Sequence, residues 1–258
     1  MKRIVIYTAL IGDNYDDIIQ PKSICDFADY ICFVKKGAKK ESYIGVWKIE
    51  EIDYNIDDNG RLSRYPKLLP HKTIISNYKY SLYIDANITI KDVYVYNRIL
   101  ALISEGKPLA LVNHPYRDCP YQELYVCIAG CKGSWKDLFR QYIYLKYCRI
   151  PRHSGLYEAN VIFREHNNPD IIKMGELWWH TFMKYSRRDQ LSLITTLKIT
   201  GIHVDYFLEK QYSARNHPAF DITSHKPQKY NFQQKIEFRI VSALRIIGRL
   251  VLKDYKKQ

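Results

Sequence analysis

Tyr80-Ser-Leu-Tyr-Ile84 is a short apolar run followed at once by Asp85-Ala-Asn87. Helical spacing then holds over residues 93–104, stops at Gly106-Lys-Pro108 and gives way to a second apolar run, Leu109-Ala-Leu-Val112. Strand, helix and strand in that order are the repeating piece of a parallel sheet covered by helices. Working outward, residues 4–10 form a continuous apolar run that empties into Gly12-Asp13-Asn14, the pattern of a buried strand. Residues 30–34 and 46–49 read as further strands, and residues 135–147, 170–185 and 190–197 as helices of the second half. The expected class is α/β, with a mostly parallel central sheet flanked by helices. Open sheets of this kind bind ligands beyond the carboxyl ends of their strands, so residues 8–13 and 85–87 are expected to line one crevice.

The 258 residues fit one large domain, or one domain with an appendage, and 47% apolar residues with 14% aromatics are enough for a proper core. Disordered, collagenous and low-complexity classes are excluded. A net charge of +13 points to anionic partners: nucleic acid, phospholipid or phosphorylated small molecules. The six cysteines, Cys25, Cys32, Cys119, Cys127, Cys131 and Cys148, form no Cys-x-x-Cys pair and read as small buried hydrophobes. Met1-Lys-Arg-Ile-Val lacks the pattern of a signal peptide, and no stretch approaches the roughly 18–20 apolar residues of a membrane span. A reducing cytoplasm is the expected compartment.

The one plausible boundary is the polar segment 223–231. Beyond it, residues 226–258 hold nine basic and two acidic side chains, +7 of the total +13. Ile236, Ile240, Ala243, Leu244, Ile247, Leu250 and Val251 recur there at helical spacing, with Lys235, Arg239, Arg245, Arg249 and Lys253 between them. Such a basic amphipathic helix suits an anionic membrane surface, or a terminal helix docked on its own domain with a solvated basic face. Nucleic acid is not expected, because the basic residues concentrate in one tail and no nucleic-acid motif occurs.

Several segments carry chemistry. Asp85 and Asn87 place two oxygen-bearing side chains on the same side of an extended segment. Mg²⁺ and Mn²⁺ favour such ligands, and turns favour the same residues. Arg61, Arg64, Lys67, His71 and Lys72 crowd five cationic or potentially cationic side chains into twelve residues broken by Pro66 and Pro70, which suits either a diphosphate cradle or a solvated loop. His114 follows an apolar strand and reads as structural or as facing the crevice. Glu158 can act on a hydroxyl or accept backbone hydrogen bonds. Asp189 is placed to N-cap the helix starting at Gln190. Trp178 and Trp179 diverge by roughly 100° on a helix, so one is core while the other lines a sugar or lipid surface.

Taken in order, Tyr7-Thr-Ala-Leu-Ile-Gly12, Lys67 with Pro70-His71-Lys72, Ser81-Leu-Tyr-Ile-Asp85-Ala-Asn87, His114-Pro115, Tyr121-Gln-Glu123, Gly155-Leu-Tyr-Glu158, Arg164 and Arg188-Asp189-Gln190 resemble the TOD1/MUCI70 glycosyltransferase-like family. The resemblance covers residues 2–197 and leaves the basic tail outside. It implies a GT-A fold, a Rossmann-like nucleotide-sugar domain over residues 1–225, followed by the basic tail 226–258. It also implies an Asp-x-Asp motif that holds a divalent cation, Mn²⁺ or Mg²⁺, on the diphosphate of a donor expected to be a UDP-sugar. Asn87 replaces the second Asp of that motif. It remains an oxygen ligand but carries no charge, which lowers the expected metal affinity.

On this resemblance Asp85, Asn87 and His225 are the metal ligands, and Thr8, Ala9, Gly12, Arg64, Lys67, His71, His114 and Arg188 join Asp85 and Asn87 around the donor. Asp189 and Gln190 match the pair found near the donor sugar in retaining enzymes. Asp189 would hold sugar hydroxyls, Gln190 would lie near the anomeric carbon, and Glu158 would contact the acceptor or serve as base. The implied activity moves a sugar to a glycan or lipid-linked glycan, with retention, in bacterial surface-polysaccharide synthesis such as capsule or lipopolysaccharide. The enzyme would work from the inner face of the cell membrane through its tail. Two rivals stay open: a hydrolase of a lipid amide or glycoside, and a non-catalytic nucleotide- or glycan-binding module.

Overall fold

The structure, a computed structural model, describes residues 4–12, 18–38, 41–130 and 132–223. Along the chain run β1 (Ile4–Leu10), β2 (Ala28–Val34), β3 (Tyr43–Ile44) and β4 (Trp47–Glu51). The single-turn helices α1 (Asn59–Leu62) and α2 (Tyr65–Leu68) follow, then 3-10 turns at Pro70–Lys72 and Ile74–Asn77. Next come β5 (Tyr80–Ile84), β6 (Ile88–Ile90), α3 (Tyr94–Ser104), β7 (Leu109–Asn113), α4 (Pro120–Ala129) and α5 (Trp135–Tyr147). The described chain closes with β8 (Tyr157–Arg164), α6 (Pro169–Lys184), α7 (Asp189–Thr200), β9 (Asp205–Tyr206) and β10 (Phe220–Ile222).

The main sheet has the order β3-β4-β2-β1-β5-β8-β7-β9. β4, β2, β1 and β5 are mutually parallel, as are β7 and β9. β8 runs antiparallel between β5 and β7, and β3 antiparallel to β4. This is the α/β, mostly parallel sheet expected from the strand-helix-strand pattern, Rossmann-like as the family resemblance implies, with one reversed strand inserted beside β5. That reversal has no apolar-run signature, because Glu158, Asn160 and Arg164 interrupt the strand. Helix α4 also escapes the spacing rule, although Pro120 at its first turn is a sound start signal.

Alternation along β1 explains why all seven of its residues are buried. Ile4, Ile6 and Leu10 enter one core, while Val5, Tyr7 and Ala9 enter the other. The first core is covered by Val95, Tyr96, Ile99 and Leu102 of α3, and by the small antiparallel sheet of β6 and β10. The second is covered by Leu68 of α2, by Ile171, Met174, Trp178 and Phe182 of α6, and by Leu193 of α7. A third cluster joins α4, α5 and α7 through Leu124, Cys127, Leu138, Leu145 and Leu191. Trp178 is core and Trp179 is half-buried against Tyr54 and Tyr65, as their divergence on the helix requires.

Helices α2 and α6 touch through a glycine. A Cβ built on Gly175 would stand 2.7 Å from the Leu68 carbonyl oxygen, closer than real Cβ contacts allow. The absent side chain lets α6 press directly on the turn that carries Lys67. Among the described residues no helix is long and apolar enough to cross a membrane, and Cys119, Cys127 and Cys148 are free thiols.

Candidate active site

A buried cluster of charges lies at the carboxyl end of β5. Arg164 of β8 is buried and donates from one guanidinium nitrogen to the Tyr7 hydroxyl and to the Lys67 carbonyl, both at 2.6 Å. This clamp fixes the α2 backbone, and the Lys67 side chain, 2% exposed, extends inward from it. Its ammonium lies 2.7 Å from Asp189 Oδ2 and 3.3 Å from Asp85 Oδ1, and 4.9 Å over the Tyr83 ring. Arg64 Nε stands 3.7 Å from Asp189 Oδ2.

Asp189 opens α7, where the positive end of the helix dipole also favours a carboxylate. The expected capping role is corrected. Arg188 is the N-cap residue and makes no side-chain cap, whereas Asp189 sits inside the first turn and accepts from the Gln190 N–H at 3.0 Å. Trp178 Nε1–H donates to the Asp189 carbonyl at 2.9 Å, so the aromatic core holds the same turn. Burial pushes the Asp189 carboxyl up, but Lys67, Arg64 and Arg188 overcome it and hold the group well below the usual carboxylate range.

Asp85 forms the expected turn and also carries a charge of the cluster. Its carbonyl accepts from the Ile88 N–H at 2.9 Å and closes a turn, while its side chain, 31% exposed, joins the charged cluster. Oδ1 takes Lys67 and the Tyr83 hydroxyl (2.9 Å). The Asp85 N–H donates to the Asn160 carbonyl at 2.9 Å, which ties the turn to β8. There β8 bulges: Leu111 pairs with Ile162 but Val112 with Glu158. Glu158 accepts from Arg215 Nε at 2.7 Å and from Asn160 Nδ2 at 3.1 Å. Burial raises the Glu158 carboxyl; Arg215 and Asn160 oppose the rise, and the charge of Asp85 adds to it.

A neighbouring network is centred on buried Glu123 of α4. It accepts from Arg117 (2.7 Å), Arg188 (3.4 Å) and the Cys127 thiol (3.3 Å). Burial pushes the Glu123 carboxyl up, and Arg117, Arg188 and Cys127 bring it below its ordinary value. His114 belongs to this network: Nδ1 accepts from the backbone N–H of Tyr116 and Arg117, and burial with the Arg117 charge lowers the ring to about 4. Arg188 also donates to Gln190 Oε1 at 3.2 Å, while Gln190 Nε2 donates to the Tyr157 carbonyl at 3.3 Å.

The structure therefore brings together Arg64, Lys67, Asp85 and Asp189, with Glu158 beside them and Arg188, Gln190 and His114 in the adjoining network. His71 turns elsewhere, to Glu176 on α6 at 3.3 Å. Thr8 lines a cavity of about 10 Å³ with Leu10, Trp47, Asp85 and Ala86, room for about one water. Its buried Oγ1 has no hydrogen-bond partner among the described residues. The shared wall of Thr8 and Asp85 agrees with the expected crevice. Ala9 is core, and Gly12 is exposed with φ 121°, a conformation that favours glycine. Asp13, Asn14, His225, Cys131 and the tail 226–258 lie outside the described residues.

A hard cation fits part of this donor set. Both partners of Asp85 use Oδ1, and Asn87 donates its amide nitrogen to the Thr223 carbonyl at 3.2 Å, so Asp85 Oδ2 and Asn87 Oδ1 remain as oxygen donors. Two protein oxygens suit an ion completed by phosphate and water oxygens. No cluster of three or more His, Cys, Asp or Glu suited to a metal occurs among the described residues. Tyr83, Asn160 and Arg215 had not stood out in the sequence. Tyr83 was findable, since period 2 places it on the Asp85 face, whereas Arg215 reaches Glu158 across 57 positions with no local signal.

Fold and site thus define a class: a Rossmann-like α/β protein with a desolvated, charge-balanced cluster at the end of its central strands. The chain belongs to the TOD1/MUCI70, glycosyltransferase-like domain family, whose model matches residues 1–217. It is 25% identical over 217 residues to a probable hexosyltransferase MUCI70 of Arabidopsis thaliana, a match covering 74% of this chain and 36% of that relative. The chain therefore spans about a third of the length of this curated relative. Similar solved structures include the bifunctional glycosyltransferase WbbM (12% identity, 93% of this chain and 44% of that one, TM-score 0.44). The S. cerevisiae mannosyltransferase Ktr4p matches at 12% identity, 78% and 68% coverage and TM-score 0.44. The galactosyltransferase LgtC, with donor and acceptor sugar analogues, matches at 13% identity, 79% and 72% coverage and TM-score 0.39.

Proposed function

We propose that this protein transfers a hexosyl or uronosyl group from a UDP-sugar to a glycan or lipid-linked glycan, with retention of configuration and with help from Mn²⁺ or Mg²⁺. The observation that carries this reading is the Lys67 ammonium held between Asp85 and Asp189 at the carboxyl end of β5, with Arg64 beside it. Departure of a diphosphate requires prearranged positive charge in a site poor in water, where each charge acts strongly. Lys67 and Arg64 supply that charge, and Asp189 keeps both aimed. A bound divalent cation, held by Asp85 Oδ2 and Asn87 Oδ1, would add Lewis-acid neutralisation of the leaving group.

Asp189 and Gln190 would face the donor sugar, with Gln190 oriented by Arg188 and the Tyr157 carbonyl. Glu158 is the group suited to take the acceptor proton, because its raised affinity for protons makes it a stronger base than an ordinary carboxylate. Thr8 and Gly12 would border the nucleotide at the end of β1. The basic tail would hold the enzyme on the cytoplasmic face of a membrane, within reach of lipid-linked acceptors for surface polysaccharide.

The test is a melting-temperature screen of nucleotide sugars with and without Mn²⁺, followed by product analysis. The true donor raises the melting point increasingly with concentration, and Mn²⁺ enlarges the shift. Asp85→Ala abolishes transfer and the Mn²⁺ effect while the protein still melts cooperatively. Full turnover without any nucleotide donor would identify a hydrolase instead, and stabilisation without turnover a binding module.

A further inference from the structure

Helix α5 has two apolar faces, and a helix packed on a core needs only one. Leu138, Gln141 and Leu145 face inward. On the outside Trp135, Phe139, Tyr142, Ile143 and Tyr147 are 51, 56, 36, 51 and 82% exposed, spaced as neighbours on one helix face. A continuous exposed aromatic stripe of this kind marks an interaction surface. Its surroundings are cationic: residues 132–152 include Lys132, Lys136, Arg140, Lys146, Arg149 and Arg152, all exposed, against the single acid Asp137. Asp137 is itself paired with Arg140 at 3.7 Å.

Arg149 adds an independent sign. It occupies the left-handed position (φ 51°) just past the helix end, where the Ile150 N–H returns to the Leu145 carbonyl at 3.0 Å. Glycine is the favoured residue at such a position, and here a cationic side chain stands on the rim of the stripe.

We infer that the outward face of α5 docks on an anionic lipid bilayer. Aromatic rings with one polar edge settle at the headgroup level, and flanking Lys and Arg side chains meet the negative surface. Charge chooses this occupant over a second copy of the chain, since two faces this basic repel one another. Inside the helix, Gln141 Oε1 accepts from the Ser186 hydroxyl at 3.2 Å, two residues before Arg188 and three before Asp189. The bilayer would therefore lie about one helix diameter, ~10 Å, from the loop that leads into Arg188 and Asp189. This surface is distinct from the tail 226–258 and does not depend on the proposed reaction.

The experiment uses the full chain with vesicles of phosphatidylcholine, alone or mixed with phosphatidylglycerol, in a flotation assay. Trp135 is the exposed tryptophan, so brominated lipids quench it on docking; Trp135→Phe removes most of that quenching while flotation persists. The triple variant Phe139→Ser, Ile143→Ser, Tyr147→Ser, altered at exposed positions alone, binds the anionic vesicles at least about tenfold more weakly. Arg149→Gly binds more weakly while its melting point holds or rises. Equal flotation of the triple variant, or vesicle binding without Trp135 quenching, overturns the inference in favour of another surface such as the tail. Concentration-dependent self-association abolished by the triple variant overturns it in favour of a second copy.

Discussion

Lys67 is the residue on which the site turns. Its carbonyl is clamped by Arg164 and its ammonium by two carboxylates, so neither backbone nor side chain drifts. Asp189 completes the pair, and its ionisation bears on folding. Its folded pKa lies below the unfolded value near ~3.9, so the ionised carboxylate stabilises the fold above that value. The contribution fades as pH falls toward the folded pKa. Asp189→Asn is expected to lower the urea midpoint at pH 7 and to flatten its fall between about pH 5 and 2. Urea titrations of both proteins across that range check the expectation. At this scale the sequence was informative about identity but not about pairing. Lys67, Asp85 and Asp189 all stood out, yet local reading assigned Asp189 to a cap. A cap needs only its own helix, whereas the observed pair joins residues 122 positions apart.

Among the elements, α6 and α2 show how a remote position sets the site. Gly175 touches none of the charged groups, but it fixes how closely α6 approaches the turn bearing Lys67. Gly175→Ala drives a methyl group into the Leu68 carbonyl and must separate the helices. The expected cost is about 1–3 kcal/mol, a melting point lower by roughly 2–10 °C, with a disproportionate loss of donor turnover because Lys67 shifts. Parallel melting curves and donor assays on the purified variant test this. Apolar spacing revealed α3, α5, α6, α7 and the parallel strands other than β9. The reversed strand β8 stayed hidden, because a strand that delivers Glu158 and Asn160 to a site cannot also display an unbroken apolar run.

For the whole molecule, topology gathers what sequence disperses. Residues 64 and 67 of one turn, with 85, 158, 189 and 215, come from five different segments and converge at one end of the sheet. The positive balance legible in the composition divides into separate stores: the buried cations of this end, the rim of α5 and the tail. The folded unit also reaches beyond the stretch that matches the family. Residues 220–222 pair with β6, and Thr223 exchanges two hydrogen bonds with Asn87: its N–H donates to the Asn87 carbonyl at 2.9 Å, and its carbonyl accepts from Asn87 Nδ2 at 3.2 Å. A protein trimmed after residue 217 loses buried Ala219 and Phe220 and is expected to melt roughly 5–20 °C lower and to lose most of its donor-induced stabilisation, which calorimetry with and without donor measures. Because β10 latches the chain onto the turn that holds Asn87, a reporter dye grafted just behind it is expected to sense a donor arriving at the proposed site while standing clear of Lys67, Asp85 and Asp189.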